Sequence, residues 1–310
     1  MIRDLRKADA PRVLELLTTH FPEEEALLGT RPEAFVKVVH RIFRWDSQLV
    51  IGLLRRFGRP LFRFLVVEED GRIVATTLLS FPERSGHVST VLVDPAYRRR
   101  GYARALLERA RVMAQAAGRK YVVLDVLAQN TPARALYERI GYRPLRESAF
   151  VVREPGPATA GNPSPSVRPF RRGDARALVD IARRSIPPEV EQVLPTREAS
   201  FRGSRLVSRM LQSASAAWVV DRGHGPEAYL SVVSSPATSA GHCSNPIVGE
   251  GVDPASAASL VRTAVEWCAA HGAPRIVAQV PSANARGRAA LQGGGFHDAL
   301  AVWTLYRPVA

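Results

Sequence analysis

Hydrophobic residues follow two different periods along the first half of the chain. After Asp9, a candidate N-cap, Val13, Leu14, Leu16 and Leu17 recur at helical spacing. Residues 62–68 and 73–81 are apolar runs on either side of Asp70-Gly71, the dipeptide of a tight hairpin turn. Residues 87–93 read as the next strand, which Asp94-Pro95 stops. Ala103, Leu106, Leu107, Ala110 and Ala114 then mark the buried stripe of a helix that Gly118 ends. Residues 121–127 are apolar and β-branched, the pattern of a strand covered on both faces. Thr131-Pro132 sets an N-cap before a proline at the first helical position, and Gly141 closes that helix. The predicted order is strand, helix, helix, three strands, helix, strand, helix, strand, which is an α/β (α+β) fold.

The second half repeats this grammar. Ile2-Arg3-x-x-Arg6-x-x-Asp9-Ala10 returns as Val167-Arg168-x-x-Arg171-x-x-Asp174-Ala175, and Asp94-Pro95 as Asp253-Pro254. Gly118, Asn130 and Gly141 reappear as Gly272, Asn284 and Gly295, each 154 residues later. Several matches at one offset indicate an internal duplication. Between the copies, residues 154–166 hold four prolines, two glycines and no large apolar side chain, the composition of an extended linker. The expected units are therefore residues 1–153, the linker 154–166, and residues 167–310.

Composition narrows the class. The 310 residues suit about two ordinary domains, with 46% hydrophobic and 23% charged residues as in a folded globular chain. No apolar run approaches the roughly 20 residues of a membrane span, and the start of the chain does not resemble a secretory signal. Two cysteines, Cys243 and Cys268, give neither a disulfide framework nor a four-sulfur zinc site, so a cytoplasmic setting is expected. The seven histidines lack ligand spacing and no metal is implied. The net charge of +14, carried by 40 arginines and three lysines, would attract an anionic ligand such as a coenzyme phosphate. Nucleic acid is disfavoured, because no zinc-finger, basic-zipper or aromatic RNA-binding signature is present.

The chemistry concentrates in two stretches. In the first, a strand ending Val91-Leu92-Val93 runs through Asp94-Pro95-Ala96-Tyr97 into Arg98-Arg99-Arg100-Gly101-Tyr102-Ala103-Arg104 and opens a helix. The first turn of a helix leaves N–H groups unpaired and partly positive, a geometry that binds phosphate. Gly101 and Ala103 are small enough for close approach of a diphosphate, and four arginines surround it. The plain alternative is a solvated basic helix start. Neither a Walker loop nor a Gly-x-Gly-x-x-Gly fingerprint is present. The second stretch carries Asn130, Ala133, Tyr137, Gly141 and Tyr142.

Together the two stretches resemble the general N-acetyltransferase (GNAT) superfamily. Arg98-Arg99-Arg100-Gly101-Tyr102-Ala103 matches the family loop Arg/Gln-x-x-Gly-x-Gly/Ala. Asn130, Ala133, Tyr137, Gly141 and Tyr142 match its second signature in order. The resemblance covers the first half and implies two tandem domains. Each would be a mixed, mostly antiparallel twisted sheet flanked by helices, with splayed fourth and fifth strands. It also implies acetyl-CoA as donor and direct transfer to a primary amine, on a small molecule or a peptide. Residues 1–153 contain no cysteine that could form an acyl-enzyme. Val91, Leu92 and Val93 would offer backbone groups to pantetheine. Arg98, Arg99, Arg100, Gly101, Tyr102, Ala103 and Arg104 would hold the diphosphate. Asn130 and Ala133 would flank the pantetheine arm, and Tyr137 would protonate the departing thiolate. On helix periodicity alone Tyr137 reads as a core tyrosine with a satisfied hydroxyl, and the resemblance reverses that reading.

His87 heads the fourth strand, where some family members place a base. It is expected to share a face with Ser89 and Val91, and a solvent-facing edge histidine is the alternative reading. Glu23-Glu24-Glu25 either draws a cationic acceptor or is a solvated helix start. In the second half the basic loop is gone. Pro95 to Gly118 spans 23 residues and Pro254 to Gly272 only 18. Ala255-Ser256-Ala257-Ala258-Ser259 stands where the loop should be, and Leu291 takes the place of Tyr137. A degenerate domain is expected there, able to wall the acceptor site, to stabilise the first half or to support a homodimer. A non-catalytic acyl-CoA sensor or interaction module is the competing function. The retained Tyr137 speaks against it, because a mere binder needs no thiolate acid.

Overall fold

The hairpin predicted at Asp70-Gly71 forms, with both residues at positive φ (50° and 75°) as a tight two-residue turn requires. It joins β2 (Phe62–Glu69) to β3 (Arg72–Ser80). The computed structural model describes residues 1–20, 26, 27, 29, 31–56, 62–82, 84–157, 166–201, 208, 209 and 211–310. Glu23-Glu24-Glu25 and most of the 154–166 segment lie outside the described residues.

Before the hairpin come β1 (Ile2–Asp4), α1 (Ala10–His20), α2 (Pro32–Ile42) and α3 (Trp45–Arg56). The sequence pattern predicts two helices here. The further helix is hard to read because Leu49 and Leu53 on α3 are exposed, so no single apolar stripe marks it. After the hairpin follow β4 (Ser85–Val93), α4 (Tyr102–Ala116), β5 (Tyr121–Leu127), α5 (Thr131–Arg139) and β6 (Arg143–Arg153). The second half contributes β7 (Val167–Pro169), α6 (Ala175–Ser185), α7 (Pro188–Val193), α8 (Glu198–Phe201), β8 (Ala214–Asp221) and β9 (Pro226–Ser234). It continues with β10 (Ala240–Cys243), β11 (Ile247–Val248), α9 (Pro254–Ala270), β12 (Arg275–Pro281), α10 (Ala285–Gly293) and β13 (His297–Pro308).

The strands form one mixed sheet, in the order β1-β2-β3-β4-β5-β13-β6-β12-β10-β9-β8-β7, with β11 paired to β9. It is antiparallel except for β4–β5 and β10–β12. The two halves do not own separate sheets. β13 inserts between β5 and β6, with Leu305 opposite Leu124, while β6 pairs on its other side with β12. Each half thus lends its last strand to the other. The cores follow the exchange: Leu305 and Val309 pack with Val88, Leu124 and Tyr137, and Ala149 and Val151 pack with Leu230, Leu260 and Ile276. Loops reinforce the seam, with the Arg31 amide donating to the Ala237 carbonyl (2.7 Å) and the Ser239 amide to the Gly29 carbonyl (2.8 Å).

The repeated Arg/Asp pattern has a structural role. Arg3 Nη1 lies 2.6 Å from Asp9, and Arg168 Nη1 2.9 Å from Asp174, tying each half's first strand to the turn before its first helix. Asp9 is not the side-chain cap of α1. It bonds backward to the Arg6 amide (2.6 Å), closing the 3₁₀ turn Lys7–Asp9 that precedes the helix.

Candidate active site

β4 and β5 run parallel and pair from Ser85 opposite Tyr121 to Val88 opposite Leu124. Among the described residues the ladder ends there, leaving 89–93 and 125–127 unpaired with one another. A bulge in β4 sits at this apex. Leu78 faces Ser89 while Thr76 faces Leu92, so two residues of β4, Thr90 and Val91, oppose one of β3. Thr90 takes φ of 58°, an unfavourable backbone for a β-branched residue. The Thr77 hydroxyl braces the bulge by donating to the Ser89 carbonyl (3.1 Å). The extra residue also corrects an expectation. Val91 packs with Val88 in the cluster below α4, so it faces away from His87 rather than sharing its side of the strand.

Beyond β4, Asp94 organises the loop. Its carboxylate accepts from the Ala96 amide (3.1 Å) and pairs with Arg12 of α1 (2.5 Å). Burial works to raise its pKa, but the Ala96 N–H and the Arg12 charge outweigh it and hold Asp94 below its ordinary value. Arg99 and Gly101 adopt positive φ (66° and 83°), which turns the chain sharply into α4. Gly101 stands at the N-cap of α4 with no side chain to satisfy the helix's first N–H groups, and a Cβ built there would meet nothing within 4 Å. The result is an open, partly positive helix end facing the gap between the strands.

A cleft of about 580 Å³ lies at this end. It brings together Val91, Leu92, Val93, Arg98, Arg99, Gly101, Tyr102, Ala103, Arg104, Asn130, Ala133 and Tyr137. Arg100 is not in the lining. Glu69 draws its guanidinium away (3.2 Å), where it also stacks on the Tyr97 ring at 4.9 Å. Sequence reasoning missed Tyr97, Pro132, Leu136, Arg139 and Ile140, which also line the cleft. The helical spacing of Ala133, Leu136, Tyr137 and Ile140 was the available signal.

Asn130 caps α5, its side-chain oxygen accepting from the Ala133 amide (3.2 Å). Tyr137 is buried against Tyr142, with ring centroids 6.0 Å apart, and burial pushes its hydroxyl up to about 12. At that value the phenol keeps its proton throughout the neutral range. His87 lies outside the cleft lining. It alternates with Val88 and therefore points to the face of the sheet opposite Tyr137, with Nε2 3.5 Å from Asp125 Oδ2.

The second half keeps the splay and fills it. β10 pairs with β12 only from Ala240 to Cys243, and the chain then turns through Ser244 into β11. Asn284, equivalent to Asn130, donates its amide to Asn245 Oδ1 (2.7 Å) and the Pro246 carbonyl (2.8 Å). The N-terminus of α9 is capped by Asp253, which accepts from both the Ser256 amide and its hydroxyl (2.8 Å each). Leu291, in the place of Tyr137, is fully buried.

The chain is similar to known acetyltransferases in sequence and in fold. The acetyltransferase (GNAT) family profile matches residues 15–142. The mycothiol acetyltransferase of Beutenbergia cavernae is 38% identical over 125 residues, a stretch covering 40% of this chain and 42% of that protein. A tandem GNAT protein from the clavulanic acid biosynthesis pathway superposes with a TM-score of 0.63 at 18% identity, covering 100% of this chain and 98% of its own. A GCN5-related N-acetyltransferase from Sphaerobacter thermophilus gives 0.65, also at 18% identity, over 100% and 95%. Residues 15–142 therefore match the GNAT acetyltransferase family, and the whole chain has the fold seen in tandem GNAT proteins.

Proposed function

We propose that the first half transfers an acetyl group from acetyl-CoA to a primary amine by direct attack in a ternary complex. The observation that carries this reading is the convergence of the β4–β5 gap, the uncapped start of α4 and Tyr137 on one cleft. The open N–H groups of α4, with Arg98, Arg99 and Arg104, suit a diphosphate in charge and in the space above Gly101. Arg100 supports the loop through Glu69. The unpaired backbone edge at Val91, Leu92 and Val93 would bind the pantetheine amides, with one N–H polarising the thioester carbonyl. Asn130 and Ala133 would border the arm.

Tyr137 donates a proton to the sulfur as the C–S bond breaks. The amine approaches through the gap from the opposite face, and His87 on that face accepts the proton the nitrogen gives up. The second half, its gap closed by its own chain, is non-catalytic and supports the first through the exchanged strands. Thiol release from acetyl-CoA across a panel of simple amines, aminoglycosides and peptides tests the reading. The similarity to a mycothiol acetyltransferase adds mycothiol-related amines to that panel. Tight acetyl-CoA binding without amine-dependent thiol release would favour a sensor instead.

A further inference from the structure

A row of polar side chains crosses the middle of the sheet beside the gap. Thr304 of β13 stands opposite Asp125 of β5 on one side and Arg146 of β6 on the other. The Thr304 hydroxyl donates to Asp125 Oδ1 at 2.6 Å, and Arg146 Nε approaches the same hydroxyl at 3.5 Å. Asp125 is the first β5 residue beyond the last β4–β5 pair, and its other oxygen faces His87 Nε2 at 3.5 Å. Burial opposes the Asp125 charge, yet His87, Thr304 and Arg146 together hold the carboxylate below its ordinary range. A charge in a half-buried central strand is unfavourable for folding, and an apolar residue would serve the strand better.

The second half supplies an internal control. His242 occupies the same register position as His87, one opposite Val277 and the other opposite Val123. Two residues beyond Val277 stands neutral Gln279 in place of Asp125, and its strand neighbour on β6 is Phe150, where Asp125 has Thr304. Gln279 Nε2 is buried without a hydrogen-bond partner among the described residues. Both halves keep the histidine. The carboxylate and the hydroxyl that grips it occur beside the open cleft alone.

We infer that Asp125 and Thr304 are positioning residues that fix His87 as the proton acceptor for the attacking amine, so that the last strand of the second half completes the site of the first. This rests on the acetyltransferase reading above. Asp125 accepts the Nε2–H of His87 and leaves the Nδ1 lone pair available. As the amine nitrogen forms its bond to the acetyl carbon, its proton passes to Nδ1. The electron pair of the breaking C–S bond goes to sulfur, which takes the Tyr137 proton.

The test uses the full-length chain and the variants Asp125→Asn, Thr304→Val and Thr304→Ser, with folding checked by thermal melting. Nitrogen-15 NMR of the histidine rings, with His87→Gln to assign the signal, needs no acceptor. The wild type should show His87 as the Nε2–H tautomer, and Asp125→Asn and Thr304→Val should lose that preference. An unchanged tautomer in both variants would overturn the inference. With an amine from the panel, both should lose kcat on the order of 10-fold to 10²-fold at unchanged KM for acetyl-CoA. Thr304→Ser should restore most of the loss, because it keeps the hydroxyl. Wild-type kcat in Asp125→Asn and Thr304→Val would also overturn it. Absence of any amine-dependent thiol release in the wild type would instead remove the transfer reading, and the NMR comparison would still decide the pairing.

Discussion

Leu305, near the end of the chain, lies directly opposite Leu124 in the centre of the first half's sheet, and neither side chain is more than 1% exposed. The core under the cleft is therefore closed by a strand made 181 residues later. Leu305→Ala should destabilise by about 2–5 kcal/mol, the range for a fully buried leucine. Deletion of residues 297–310 should leave β5 with an open edge and prevent cooperative unfolding of the first half. A sharp, wild-type-like melt of that truncation would show that β13 is dispensable.

Gly101→Asp combines a side chain at φ of 83° with a negative charge at the open end of α4. The added Cβ meets no atom, so the fold should survive with a loss of about 1–2 kcal/mol for the left-handed backbone. CoA affinity should fall by at least about 10²-fold, as a like charge replaces open N–H groups at the diphosphate. Calorimetry of CoA binding to the folded variant measures this, and unchanged affinity would detach the phosphate role from the loop.

How far the sequence could be read followed how local each signal was. The loop 98–104 and the 130–142 signature are continuous stretches, and the loop without Arg100 and the signature up to Ile140 line one cleft. The strand exchange was invisible, because nothing in the periodicity of 297–308 says which of two equivalent sheets it joins. The site of Asp125 was hidden for the same reason, its partner Thr304 standing on that exchanged strand. The bulge at Thr90 was also unreadable, and it reversed the facing of Val91 relative to His87. Arg100 resembled its arginine neighbours in sequence, but Glu69 sits close enough to claim it.

Acid should weaken the protein through two copies of one device. Asp9 is opposed by burial but held low by Arg3 and the Arg6 amide, and Asp174 is held low chiefly by Arg168. A carboxylate with a depressed folded value gives stability that is complete above its unfolded pKa of about 4 and lost as pH falls through the folded value. Denaturant midpoints should hold from about pH 7 to pH 5 and drop below about pH 4. Asp174→Asn should flatten that acid slope, and a slope indifferent to the substitution would remove the pair from the account.

Because Asn284 spends its amide on Asn245 and Pro246, the second half has a closed gap. Calorimetry on the intact chain should give one CoA per polypeptide. A second site abolished by a substitution in α10 would show that the gap opens in solution.

The most direct measurement of the account is the turnover of Tyr137→Phe. The change keeps the ring against Tyr142 and removes only the hydroxyl that burial holds protonated, so stability should shift by no more than about 0.5–1.5 kcal/mol. Amine-dependent thiol release should fall by about 10²-fold or more, with acetyl-CoA affinity nearly unchanged, because the hydroxyl acts as the thiolate forms. Near-wild-type turnover in the folded variant would mean that Tyr137 is a core residue and that water protonates the sulfur.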